Sequence, residues 1–170
     1  MLSNKMQTAI NNQINAELWS AYLYLAMSLD AESKALKGLA NWFFVQWLEE
    51  QDHARIFQEY LISRGAKVAL LPIKEVPTKW DSPLTMFIET LRHEREVTRM
   101  IHNIAQLAYE EGDFATISRM KWFIDEQVEE EDSADQQVMA FSAATDYISL
   151  HTLDKELAER EYKKAEPLVK

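Results

Sequence analysis

The chain has 170 residues, 47% hydrophobic and 27% charged, with only 3 Gly, 4 Pro and no Cys; this excludes a disordered or fibrous chain, an all-β sandwich, disulfides, thiolate metal sites and a catalytic thiol. Lys and Arg number 18 against 28 Asp and Glu, a formal net charge of −10, which is the wrong sign for covering a phosphate backbone, so no nucleic-acid partner is expected. The N-terminal residues Met1 to Met6 lack the basic and apolar stretches of a signal peptide, and no segment approaches the roughly 20 apolar residues of a membrane span, so the expected location is the cytoplasm with no membrane partner.

From Ser3 to about Leu36 no Gly or Pro intervenes, and Ile10, Ile14, Glu17, Ala21, Tyr24 and Ser28 recur at steps of four and three. This spacing predicts a long amphipathic helix. A second is predicted from about Gly38 to Arg64, with Leu39, Phe43, Gln46, Glu50, His53, Phe57 and Tyr60 on one stripe and Gly65 closing it in the left-handed conformation. Residues 66 to 81 contain Pro72 and Pro77 without helical period, so they read as a long crossover that lets the flanking helices run parallel. Ser82 and Pro83 then open a third helix carrying Leu84, Phe87, Leu91, Glu94, Thr98, Ile101, Ala105 and Ala108. Gly112 and Asp113 end it and cap a fourth, with Ile117, Met120, Ile124, Gln127, Glu131, Ala134, Val138 and Phe141 in register and Phe123 and Glu130 alongside. A short fifth helix is predicted over about 145–162, followed by a polar tail over 163–170. The fold class is therefore all-α: one domain over 1–170, a four-helix bundle over about 3–143 with a long crossover between its second and third helices, plus the short C-terminal helix.

Three inward stripes carry a glutamate where an apolar residue belongs: Glu17, Glu50 and Glu94. The fourth offers Gln127 with Glu130 beside it. Burying an ionised carboxylate costs several kcal/mol, so four in one seam require positive charge among them. Arg92, Arg95 and Arg99 fall off the Glu94 stripe, leaving His53 as the sole cationic side chain in the seam. Two divalent metal ions would neutralise the four negative charges. Interhelical salt bridges or a wet cavity are the competing reading for any single interior Glu.

Glu50 and His53 lie three apart and project from one helix face, where each can ligate an ion. One carboxylate from each of two helices with Glu-x-x-His from the other two is a dinuclear pattern; here the second Glu-x-x-His is replaced by Gln127-Val-Glu-Glu130. Oxygen-rich ligation with one imidazole suits iron or manganese and tolerates zinc. Tyr24, two turns from Glu17 on the same face, falls near these groups, although such a residue is also a common core aromatic. His93, His102 and His151 have no ligand partner at helical spacing and read as surface or satisfied histidines.

Four motifs together resemble the non-haem bacterial ferritins over essentially residues 1–160: Asn15-Ala-Glu17-Leu with Tyr24 downstream, Leu48-Glu-Glu50-Gln-Asp-His53, His93-Glu94 with Thr98, and Trp122-Phe-Ile-Asp-Glu126-Gln127-Val-Glu-Glu130. The resemblance implies a homo-oligomeric shell of twenty-four subunits whose bundles each hold a ferroxidase centre, oxidising Fe(II) with O2 or H2O2 and passing Fe(III) to a stored mineral. It assigns Glu17, Glu50 and His53 to the first iron, and Glu50, Glu94 and Glu130 to the second, with Gln127 adjacent and Tyr24 linked to electron transfer. It further implies a third iron position at Glu49, Glu126 and Glu129, open to sharing Glu130; read without the resemblance, the first three belong to a solvated acidic face.

Gln51 follows Glu50 where haem-binding bacterioferritins carry methionine, so no haem is expected. Two other functions compete with this reading. A di-iron oxygenase or peroxidase would need a substrate cavity and would retain iron only at the site, and a non-oxidising storage cage would have lost the ligands. At the third turn Glu110, Glu111 and Asp113 offer an acidic funnel for iron as one reading and the plain solubility of a charged turn as the other.

Overall fold

The structure, a computed structural model, describes residues 1–167. Five α-helices follow in order: α1 (Asn4–Ser33), α2 (Lys37–Ser63), α3 (Pro83–Glu111), α4 (Phe114–Ala143) and α5 (Tyr147–Leu157). Each start except that of α2 has a side-chain cap, which satisfies amides that the first turn leaves without partners. Ser3 accepts from the Met6 amide, Asp113 from Thr116, and Ser82 and Asp146 form reciprocal caps with Thr85 and Ser149. Gly65 and Gly112 take left-handed backbone at φ 71° and 65°, as their places at helix ends require.

The predicted elements are present with small shifts at their ends. α1 stops at Ser33, because Ala35 turns the chain with φ 60° before α2 begins. α5 ends at Leu157, five residues short of the expected boundary, and residues 158–167 continue without helix. The last three residues of the polar tail lie outside the described residues.

α1 packs along α2, and α3 along α4. The crossover returns along α1: Asn11 donates to the Lys67 carbonyl, Trp19 Nε1 to Glu75, and the Trp80 amide to Asp30 Oδ2. This path sets α3 parallel to α2, as the crossover length predicted. The core falls into two apolar halves. One is built on Met6, Ile10, Phe57, Ile101 and Phe123, the other on Leu23, Met27, Phe43, Phe87 and Phe141.

Between the halves lies a buried polar band: Gln13, Glu17, Ser20, Gln46, Glu50, His53, Glu94, Gln127 and Glu130. On α4 the inward stripe runs Met120, Phe123, Gln127, Glu130, Ala134. Glu131, placed on the stripe by sequence spacing, is only half-buried and reaches sideways to Thr98 and Arg95.

Candidate metal centre

The middle turns of the four bundle helices carry the band, so Glu17, Glu50, His53, Glu94, Gln127 and Glu130 converge from four directions. All are between 1% and 6% exposed. That is far beyond ordinary burial for a carboxylate. Arg92, Arg95 and Arg99 point to solvent, as their spacing predicted.

Ligand atoms of Glu17, Glu50 and His53 lie within 4.8 Å of one another. His53 Nδ1 is 3.3 Å from Glu50 Oε2. A second group, His53, Glu126 and Glu130, is equally close, with His53 Nε2 3.8 Å from Glu126 Oε1. His53 therefore sits at the junction of two acidic groups. Glu94 belongs to neither group: the Tyr24 hydroxyl donates to its Oε1 and Gln127 Nε2 to its Oε2 at 3.1 Å. Gln127 thus meets Glu94 as a hydrogen-bond donor. Of the three residues implied for a third position, Glu49 and Glu126 are half-buried and Glu129 is exposed. They line one open cavity of about 360 Å³.

Burial dominates the electrostatics. It raises the Glu17 and Glu50 carboxyls above the usual range despite the opposing pull of His53. Burial and the charge of Glu130 raise Glu94 to about 8. Glu49 is pushed up to about 7 by burial, against the pull of Arg160. For His53 burial favours the neutral ring, but contacts to Glu126 and Glu50 outweigh it and lift the imidazole well above its ordinary value. Tyr24, raised by burial and by the charge of Glu94, stays a phenol and a donor. Protons therefore hold the places that cations would take. Glu17 Oε2 and His53 Nε2 are buried without a hydrogen-bond partner among the described residues. Hard cations, which carboxylate and imidazole both ligate, would satisfy such atoms.

His93 is one of the satisfied histidines: burial lowers it to about 4, and its Nε2 lies 2.7 Å from Ser20 Oγ. His102 and His151 are exposed. Of the acidic residues at the third turn, Asp113 meets Arg64 and Thr116, and Glu111 accepts from Ser3.

Sequence reasoning missed three participants. Gln13 donates to Glu17 Oε1 at 2.8 Å, and its place one turn before Glu17 was a usable signal. Gln46 stood on the predicted stripe without a role, and its Nε2 donates to Glu130 Oε2 at 2.9 Å. Arg160 comes from the non-helical tail to Glu49, where no helical periodicity announces it.

Known proteins carry the same organisation. The family profile described as "Ferritin-like domain" matches residues 7–144. A bacterial non-heme ferritin of Bacteroides fragilis (strain 638R) is 39% identical over 160 residues, covering 94% of this chain and 100% of that protein. One from Staphylococcus epidermidis (strain RP62A) is 35% identical over 163 residues, covering 95% and 98%. Among solved structures, the open-pore ferritin of the hyperthermophilic archaeon Archaeoglobus fulgidus superposes with a TM-score of 0.93 at 44% identity, covering 95% of this chain and 100% of that one. Full-length similarity, the bundle with its long crossover and the buried carboxylate band agree, and the chain belongs to the ferritin family.

Proposed function

We propose that the protein is an iron-storage ferritin that oxidises Fe(II) inside its own bundle and deposits Fe(III) as mineral in a homo-oligomeric shell. The observation that carries this reading is the convergence of Glu17, Glu50, His53, Glu94 and Glu130 in a core band with no Lys or Arg among its buried residues. Glu17, Glu50 and His53 would bind the first Fe(II), and Glu50, Glu94 and Glu130 the second, with Gln127 and Tyr24 orienting Glu94. Glu49, Glu126 and Glu129 would hold a third iron. Fe(II) and O2 or H2O2 are the reactants.

With O2, two Fe(II) give up one electron each, and dioxygen with two protons becomes H2O2. Carboxylate oxygens favour this direction, because the harder Fe(III) gains more from them than Fe(II) does. Pairing the irons supplies both electrons at one place. The chain contributes the ligand geometry and stores protons at carboxyls and His53 that bound metal releases. The shell of twenty-four subunits and the cytoplasmic setting belong to the same proposal; among the described residues no helix is long and apolar enough to cross a membrane.

The test is to add Fe(II) in air to metal-free assembled protein, isolate the large particle and count iron per chain. Many more irons than the ligands can coordinate establish storage. Two or three retained irons would overturn storage and leave only the paired site, the property expected of a di-iron oxygenase or peroxidase.

A further inference from the structure

Beyond α5 the chain lies back along α2, held at both ends of a short stretch. At one end Asn41 Nδ2 donates to the Arg160 carbonyl at 2.9 Å. At the other, the Tyr162 hydroxyl and the Ala165 amide donate to Asp52 Oδ2 at 2.6 and 2.9 Å. The Arg160 guanidinium sits 4.5 Å over the Trp42 ring and donates to the Trp42 carbonyl at 3.3 Å. From this mount it donates to Glu49 Oε2 at 2.5 Å and to Gln46 Oε1. Gln46 in turn donates from Nε2 to Glu130.

Arg160 is the sole cationic side chain among the described residues lining the cavity of Glu49, Glu126, Glu129 and Glu130. Unlike the carboxyls and His53 nearby, a guanidinium does not discharge by losing a proton. A metal ion that takes Glu49 through Oε2 must move it.

We propose that Arg160 is a positioning residue and a tethered stand-in cation at the third iron position: it occupies Glu49 until metal displaces it, and through Gln46 it holds Glu130 of the neighbouring site. This rests on the third position in the function proposed above. The ion pair lowers the affinity of that position for metal, so a metal ion there is held weakly and passes on. Displacement of Arg160 also frees Gln46, so filling the third position changes how Glu130, which borders the same cavity, is held. The planar fork matters, because one guanidinium serves Glu49, Gln46 and the Trp42 carbonyl together, which an ammonium does with poorer geometry.

The experiment is a calorimetric titration of assembled, metal-free protein with Zn(II), which binds without redox chemistry, at fixed pH. The parent is compared with Arg160→Gln, Arg160→Lys and Glu49→Gln after assembly is checked by size-exclusion chromatography. Arg160→Gln is expected to tighten the third equivalent on the order of tenfold, Arg160→Lys to tighten it less, and Glu49→Gln to remove it. Should Arg160→Gln fail to assemble, Arg160→Lys, which keeps the charge, decides alone by the same shift. An unchanged or weaker third equivalent in the Arg160 variants, with that equivalent lost in Glu49→Gln, overturns the role of Arg160 and leaves the third position standing. A third equivalent that survives Glu49→Gln overturns the third position as assigned, and the proposal for Arg160 with it.

Discussion

Gln13 and Glu17 form a buried pair on one face of α1, with Gln13 Nε2 donating to Glu17 Oε1 at 2.8 Å and Glu17 Oε2 left free for another partner. The amide engages one carboxylate oxygen and leaves the other for a ligand. Supporting hydrogen bonds of this kind are worth about 10- to 100-fold in metal affinity. Gln13→Ala is therefore expected to weaken the tightest Zn(II) equivalent by about tenfold or more while the shell stays assembled. An isotherm that matches the parent's would show that packing alone orients Glu17.

Removing a ligand should act more strongly than removing its support. Glu17→Ala or His53→Ala takes one of three groups from the first position, and each side chain lies inside its own bundle, away from the outer surface. Initial Fe(II) oxidation followed by absorbance is expected to fall at least about tenfold, with the elution volume of the assembled particle unchanged. Oxidation at the parent rate in either variant would remove these residues from the first site.

The helices and most of the candidate centre were legible because both obey helical periodicity. Glu17, Glu50, His53, Glu94 and Gln127 sit on stripes that fold inward as their spacing requires. The period locates a face only to within a neighbouring residue, which is why Glu131 was placed on the stripe that Glu130 occupies. Arg160 was invisible for a different reason. Its approach to Glu49 joins residues 111 apart through a chain segment with no repeat, and only the tertiary fold brings them together.

The raised carboxyls make stability depend on pH in a definite direction. Glu94, lifted from 4.5 to about 8, binds more protons folded than unfolded, so its contribution is fully present below pH 4.5 and is lost as pH rises through about 8. Glu49, at about 7, acts in the same direction over a narrower window. Metal-free parent protein should therefore lose Tm between about pH 5 and 8 on this account. Glu94→Gln keeps the shape without the ionisation, so its Tm advantage over the parent should widen toward pH 8, while its second metal equivalent weakens. Parallel Tm curves for the two proteins across that range would show that Glu94 ionises at its ordinary value.

Gly38 carries the seating of α5 and thereby of the tail. A Cβ at this position would lie 1.5 Å from the Asp154 carbonyl oxygen, a backbone atom that cannot turn aside. One residue on, the Leu39 amide donates to Asp154 Oδ1 at 2.9 Å, so α5 is drawn against the first turn of α2. Gly38→Ala improves helix propensity by about 1 kcal/mol, but the clash forces α5 away, and overpacking of this kind costs about 1–3 kcal/mol. Displacement of α5 also withdraws Arg160 from Glu49. The expected result is a lower Tm together with a tighter third Zn(II) equivalent, in the direction expected of Arg160→Gln. A lower Tm with the parent's third equivalent would mean that the tail stays on α2 through Asn41 and Asp52 without the support of α5.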